Sequence, residues 1–457
     1  MRFVDRENEI ANLKEIKELS RRKLFVAVIY GLRRVGKTRL LIEFIKNNGV
    51  YFFVNKNKTS QDLLNEFQVI LKENGILGEL EKLPSWDKFF EVLVNRKPIT
   101  SVFDEFQNFA FVNPAIFGTL QKTIDLNENK SGMIILSGSL IGLMKDLFKN
   151  NKEPLYGRIK FSKKLEPLNL TSCIEIGKEL GFDTELLLKL YMIFGGYPKY
   201  YVTMEDYKAK GNDMGEILDL LVLNKNAPLE DEVNTVLSQE FGNRSGLYYS
   251  LLEAIATGNN TISAIAGYLN VPATSITRQL GELKDYFELI ELEMPYNGKR
   301  GMYKIIHPFL YFWFSQIYKN QSDYASRNPE FMKAVRLNLN VFFGRRFETV
   351  ARELLTARLG LTESHRQWGK IPMAKGEETT YEIDLIGKNE KHSYIFEVKW
   401  KNLDDKAAIK IIEKLREKAG YVKELPSDHK FGIVAKKLTN KDKVLEAGYL
   451  AYDLSDL

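Results

Sequence analysis

Cysteine and histidine are nearly missing from this 457-residue chain: Cys173 is the one cysteine, and His307, His365, His392 and His429 are the four histidines. A single thiol excludes an intrachain disulfide, and histidines so far apart in sequence make no local ligand motif, so no zinc site is expected. No window approaches the ~18 consecutive apolar residues of a membrane span. The charged start MRFVDRENEI also lacks the apolar segment of a signal peptide. A cytoplasmic location with no membrane partner is therefore expected. Pro-rich and Gly/Ser-rich stretches are absent, and 44% hydrophobic with 28% charged residues is the composition of a folded globular chain. A strong charge of one sign is missing as well. The 66 Lys and Arg against 60 Asp and Glu leave +6, which permits nucleic-acid binding without indicating it.

What is there comes in blocks, and at ~150 residues per domain the length suggests about three domains. The first 140 residues alternate β-rich apolar runs with helical patterns, the order of an α/β chain with a parallel sheet. Four runs stand out: 24–30 (LFVAVIY), 50–54 (VYFFV), 99–103 (ITSVF) and 133–137 (MIILS). They are short and rich in β-branched or aromatic residues, as strands buried on both faces must be. From Thr171 to about Gly242 the spacing turns helical, with Leu186, Leu187, Leu188, Leu190, Leu218 and Leu221 as core candidates. Between Gly246 and Phe314 the order is helix, short helix, turn, helix and two strands joined by the basic turn NGKRG, the order of a winged helix-turn-helix. After a connecting segment with Asn328-Pro329, a helix (FFGRRFETVARELL) opens the last block, and TYEIDLIG, YIFEVKW, a charged helix and a last strand FGIVA follow. The expected division is 1–170, a helical lid at 171–245, a winged helix at 246–315, a connector at 316–337 and an α/β domain at 338–457.

Directly after the first run stand Gly31, Leu32, Arg33, Arg34, Val35, Gly36, Lys37 and Thr38, which fill the G-x-x-x-x-G-K-[ST] pattern of a P-loop and lead into the helical RLLIEFI. The glycines let backbone N–H groups turn toward phosphate oxygens at a helix N-terminus. The lysine serves the β- and γ-phosphates, and the hydroxyl serves Mg²⁺. This predicts ATP with Mg²⁺ as ligands. The third run ends in Asp104-Glu105, where Asp104 suits Mg²⁺ through water and Glu105 suits the activation of attacking water. The fourth ends in Ser137-Gly138-Ser139, where Ser137 is a candidate γ-phosphate contact, although Ser-Gly is also a common way to leave a strand.

Taken together, GLRRVGKTRLL, the N-terminal FVDRENEI, the acidic DEFQ and FGGYPKYY resemble the archaeal ATPase family within the signal-transduction ATPases with numerous domains, over roughly residues 1 to 245. The resemblance implies an additional-strand, catalytic-glutamate core with a helical lid. It also implies that Gly196-Tyr197-Pro198 contacts the adenine, that Phe3 to Glu9 lie near the base, and that Arg158 reaches the γ-phosphate in cis or from a neighbouring subunit. An oligomer is thereby allowed.

In the expected winged helix, Thr274 to Phe287 is the recognition helix, offering Ser275, Thr277, Arg278, Gln279 and Lys284, with Lys299 and Arg300 at the wing tip. This modest positive set suits phosphate contacts to DNA better than base readout. Such modules also dock proteins. In the last block, strand alternation puts Glu382 and Asp384 on one face and pairs Glu397 with Lys399. A hairpin would bring Asp384, Glu397 and Lys399 together, with Glu348 on the preceding helix completing the cluster. Grouped carboxylates repel unless a cation neutralises them, so Asp384 and Glu397 are candidate ligands for a second divalent metal. The D-x12-E-x-K spacing resembles the restriction-endonuclease-like PD-(D/E)xK nucleases, with Ile383 where a proline often stands. The same pattern fits an amphipathic hairpin with a solvated charged face. Two readings follow: an Mg-ATPase driving a DNA-binding, nuclease-like output, or an ATP-dependent switch that binds DNA or protein without cutting.

Overall fold

A computed structural model describes residues 2–46, 48–96, 99–211, 213–242, 245–371, 379–425 and 428–456. The chain divides into two compact units. One comprises Met1–Leu168, Gly196–Val202 and Asp285–Glu288, and the other Asn169–Gly195, Thr203–Lys284 and Leu289–Leu457.

The first unit is built on a parallel sheet of β1 (Leu24–Tyr30), β2 (Gly49–Phe53), β3 (Thr100–Asp104), β4 (Gly132–Gly138) and β5 (Phe161–Lys164), in the order β2-β3-β4-β1-β5. The four apolar runs become β1 to β4, and β4 lies between the P-loop strand β1 and the acidic strand β3. The fifth strand, FSKK, escapes the sequence pattern. It is a short edge strand that pairs with β1 alone, so it carries a single apolar residue, Phe161, in place of the continuous apolar run of a strand buried on both sides. Helix α1 (Lys37–Ile45) begins at the end of the P-loop, and α2 (Ala115–Leu126) precedes β4. Aromatic rings fill the face under β2 and β3: Phe52 stacks on Phe103 with centroids 5.0 Å apart, and Phe106 meets Phe109 edge-on at 5.6 Å. Fully burying each such ring is worth about 1.5–3 kcal/mol. Phe103 and Phe106 thus fasten the chain on either side of Asp104-Glu105.

In the second unit α3 (Leu170–Glu179) and α4 (Thr184–Phe194) are capped by Asn169 and Asp183, whose side chains accept from Ser172 N and Leu186 N. All six leucines expected in this core are buried. Helices α5 (Ser245–Ala256), α6 (Ile262–Leu269) and α7 (Thr277–Gly281) precede the antiparallel pair β6 (Ile290–Glu293) and β7 (Met302–Ile305). After α8 (Pro308–Gln316), one unbroken helix, α9, runs Pro329–Leu359. The boundary expected at 337/338 therefore falls inside a helix. Asn328 accepts from Glu330 N and Phe331 N and Pro329 occupies the first turn, so this pair starts a helix and does not mark a linker. The second sheet comprises β8 (Glu363–Ile371), β9 (Thr379–Lys388), β10 (Ser393–Leu403), β11 (His429–Leu438) and β12 (Leu450–Tyr452), in the order β12-β11-β10-β9-β8. The hairpin β9–β10 is antiparallel and β10–β11–β12 parallel. FGIVA lies in β11 and is not the last strand, because the short LAY adds itself beyond it. Helix α10 (Asp405–Ala419) seals the sheet through Ala408, Ile412, Leu415 and Ala419. Among the described residues no helix is long and apolar enough to cross a membrane.

Candidate functional site

The P-loop owes its path to two glycines. Gly31 has φ +153°, and a side chain there would meet Leu165 O at 2.4 Å; Gly36 has φ +95°. Lys37 Nζ donates to Gly31 O at 2.8 Å and to Leu32 O at 2.9 Å. Buried Arg6 donates to Val35 O at 3.1 Å and Glu166 O at 2.8 Å, so the segment Phe3 to Glu9 is tied to the loop. Pro198 stands against the second glycine, its Cγ 3.7 Å from where a Cβ on Gly36 would lie. Gly196 allows Leu168 O to approach, since a Cβ there would lie 1.8 Å from it.

Asp104 closes the site from β3. Its Oδ2 accepts from Thr38 Oγ1 at 2.6 Å and from Tyr51 OH at 2.8 Å, and its Oδ1 from Glu105 N at 3.0 Å. Burial, and after it the Asp104 charge, pushes the Tyr51 phenol far above its ordinary range, so it stays a donor. Hard oxygen donors on Thr38 and Asp104 within hydrogen-bond distance of each other fit Mg²⁺. Glu105 has φ +53°, and its Oε2 accepts from Ser139 Oγ at 2.8 Å and Gln107 Nε2 at 2.5 Å. Arg33 Nη1 lies 3.9 Å from Oε1. Ser137 is buried, and its Oγ has no hydrogen-bond partner among the described residues. Ser139, two residues on, is the hydroxyl that reaches the acidic pair. Tyr51 received no role from sequence, because nothing local to it says that β2 faces it toward Asp104, and Gln107 received none because nothing in DEFQ says that the turn after Glu105 folds its amide back onto that carboxylate.

Arg158 is not brought to this site. It holds Asp125, near the C-terminus of α2, with contacts of 2.9 and 3.0 Å. Two residues on, Lys160 Nζ donates to Leu24 O, at the first residue of β1. The P-loop leaves the other end of that strand, about 20 Å away at ~3.3 Å per residue. Arg158 therefore cannot contact a γ-phosphate on its own P-loop.

In the second unit the two ladders flanking β9 both become irregular at Asp384. Between β8 and β9 the register steps from His365↔Ile386 to Gln367↔Ile383, an extra residue on β9. Toward β10 the pairing ends at Leu385↔Phe396, and Val398 N donates to Asp384 Oδ2 at 2.7 Å instead. Oxygens of Glu348, Glu382 and Asp384 all lie within 4.8 Å of one another. Glu397 sits beside them but is taken up by Lys399 Nζ at 2.8 Å and Lys418 Nζ at 3.0 Å, and Lys399 also lies 3.4 Å from Asp384. Arg366 reaches Glu348 at 3.3 Å, Glu382, and Glu293 at 3.6 Å. Burial, then Asp384, pushes Glu348 up to about 7 against the pull of Arg366. Burial and Glu397 also raise Asp384. Burial pulls Lys399 down, but Asp384 and Glu397 outweigh it and raise it. Sequence spacing thus found Asp384, Glu397, Lys399 and Glu348. It gave Glu382 no role and missed Arg366 and Lys418, which arrive from β8 and α10. Carboxylate oxygens in this number fit Mg²⁺ or Mn²⁺.

The β6–β7 turn is docked. Tyr296 N donates to Arg366 O, Asn297 N to Gln367 Oε1 and Asn297 Nδ2 to Lys423 O, each at 2.8 Å. Lys299 and Arg300 remain exposed. On the expected recognition helix Ser275, Thr277 and Arg278 are exposed, whereas Gln279 and Lys284 are half-buried. Arg278 holds Glu282 at 2.9 Å.

Residues 3–204 match the model of an ATPase domain predominantly from Archaea, and residues 313–411 match one described as archaeal and bacterial proteins of unknown function. An uncharacterized protein of Methanocaldococcus jannaschii is 30% identical over 463 residues, covering 99% of each chain. An uncharacterized ATP-binding protein of Pyrococcus horikoshii is 27% identical over 237 residues, covering 44% of this chain and 73% of its own. Among solved structures, a Walker-type ATPase of Pyrococcus abyssi superposes with a TM-score of 0.55 at 23% identity, over 68% of this chain and 96% of its own. The chain therefore belongs to the family of the Methanocaldococcus jannaschii protein, and its N-terminal part is a P-loop ATPase domain of the kind found predominantly in Archaea.

Proposed function

We propose that this protein is an Mg²⁺-dependent ATP hydrolase whose nucleotide state is coupled to a DNA-binding winged helix and a metal-dependent nuclease centre. The observation that supports hydrolysis best is the convergence of Lys37, Thr38, Asp104 and Glu105 at the end of one parallel sheet. The N–H groups of the loop and of the first turn of α1 receive the phosphates, and Lys37 leaves the Gly31 and Leu32 carbonyls for the β- and γ-phosphates. Thr38 and Asp104 would hold Mg²⁺, which when bound supplies positive charge to the phosphate oxygens. Glu105 accepts a proton from the attacking water as its oxygen bonds to the γ-phosphorus and the bond to the β-phosphate oxygen breaks, leaving ADP and phosphate. Pro198, which stands beside Gly36, would bear on the base. In a phosphate-release assay Lys37→Ala should lose at least about tenfold in turnover or ATP affinity, about 1.4 kcal/mol. Equal values in wild type and variant would refute the reading.

For the output, Asp384, Glu348 and Glu382 would hold a divalent metal, which when bound would activate water, and Lys399 would stabilise charge building on phosphorus. Glu397 orients Lys399 and is the next available oxygen donor. One observation favours the alternative of an ATP-dependent switch without nuclease activity: Arg366 already bridges Glu348 and Glu382. Incubating single-stranded, double-stranded and branched DNA with Mn²⁺ or Mg²⁺, with and without ATP, separates the two, since an absence of cleavage throughout leaves the switch.

A further inference from the structure

We infer that Ser139 and Gln107 are positioning residues that pin one oxygen of Glu105, Oε2, and so present the other, Oε1, to the attacking water. This rests on the reading of Glu105 as the group that activates water.

A free carboxylate on two rotatable bonds offers water a moving target, and a base is most effective when held in the geometry of the reaction. Glu105 is held at both ends. Its backbone sits at φ +53°, an unfavourable region for a residue with a side chain, between the buried rings of Phe103 and Phe106. At the other end Ser139 Oγ and Gln107 Nε2 both donate to the same oxygen, Oε2, at 2.8 and 2.5 Å. Oε1 is the oxygen nearer Arg33 of the P-loop.

The surroundings of Gln107 are hard to explain by stability. The residue is fully buried, and its Oε1 has no hydrogen-bond partner among the described residues. An unpaired buried polar atom costs about 1–3 kcal/mol, so a side chain kept there for packing alone would better be apolar. Room is made for it as well: a Cβ on Gly138 would lie 2.3 Å from Gln107 Oε1, so the glycine of Ser137-Gly138-Ser139 is what admits the amide. β4 lies beside β3 in the sheet, which is why the hydroxyl just past the end of β4 reaches a carboxylate just past the end of β3.

The pinning also sets what Glu105→Gln does. Two donors fixed on the Oε2 side hold the new amide oxygen there and turn its NH₂ toward the water, so the variant offers a donor where an acceptor is needed.

Steady-state ATP hydrolysis and thermal melting of the full chain test this. Ser139→Ala and Gln107→Met should each lose about tenfold or more in kcat while KM for ATP stays within about twofold. Gln107→Met should melt no lower than wild type, and Ser139→Thr, which keeps the hydroxyl, should recover most of the loss. In a Glu105→Gln background neither Ser139→Ala nor Gln107→Met should lower the residual rate further. Wild-type kcat in Ser139→Ala and Gln107→Met alongside an inactive Glu105→Gln would overturn the pinning, and so would equal losses in Ser139→Ala and Ser139→Thr. A wild-type rate in Glu105→Gln itself would remove the reading of Glu105 on which the inference stands.

Discussion

Asp104 and Asp384 each end a regular stretch of sheet, and each is held by neighbours that its own strand does not reveal. Asp104 collects hydroxyls from α1 and β2, and Asp384 takes the Val398 amide from the partner strand. At the second of these sites one titration is open to measurement. Glu348 is raised to about 7, so below that pH it carries a proton that a metal must displace. Mn²⁺ binding followed by calorimetry should therefore strengthen as pH rises from about 6 to 8, with proton release at the acidic end, and Glu348→Gln should flatten that dependence. Affinity independent of pH in the wild type would take Glu348 out of the ligand set.

Helix ends and turns decide the next level. His307 caps α8, its Nδ1 accepting from Leu310 N at 3.4 Å, an acceptor role that requires the neutral ring. Burial pushes it from 6.5 down to about 3. Between those values the unfolded chain takes up a proton that the folded one refuses, so stability is lost as pH falls below about 6.5, with a slope of up to about 1.4 kcal/mol per unit. Asn at this position keeps a cap acceptor without titrating. The melting temperature of His307→Asn should thus fall less than that of wild type between pH 7 and 5, and parallel curves would show that the ring is not the titrating group. The β6–β7 turn makes a second case. Its docking through Tyr296 and Asn297 leaves Lys299 and Arg300 as its free cations in solvent, so Lys299→Ala with Arg300→Ala should weaken DNA binding on all sequences and flatten the salt slope by up to about two units. An unchanged slope would assign the turn to its contact with β8.

For the whole molecule, the two clusters belong to different compact units, the P-loop and acidic pair to one and the Asp384 cluster to the other. Asp384→Ala and Lys399→Ala should each abolish any metal-dependent DNA cleavage while basal ATP turnover stays within about twofold, read by phosphate release and cleavage on one preparation. A collapse of ATP turnover in Asp384→Ala would show that the second unit is needed for hydrolysis itself.

By itself the sequence determined those features whose chemistry demands a fixed contiguous pattern. The P-loop is legible because phosphate binding needs its glycines, lysine and hydroxyl at fixed spacing on a strand-to-helix turn. β1, β3 and β4 are legible because strands buried on both faces must be apolar throughout, and β2, an edge strand with Phe53 exposed, because its run is β-branched and aromatic. The hairpin carrying Asp384, Glu397 and Lys399 could be read because alternation sets which residues share a face. Tertiary structure alone decided what pairs across strands and helices. It brought Tyr51 and Ser139 to the acidic pair and Glu382, Arg366 and Lys418 to the second cluster. It also sent Arg158 to the far end of β1, where Asp125 holds it. The contacts made across strands depend on the order in which strands lie in a sheet, and those around Asp384 also on a one-residue bulge, and an edge strand such as FSKK adds no local pattern from which that order could be read.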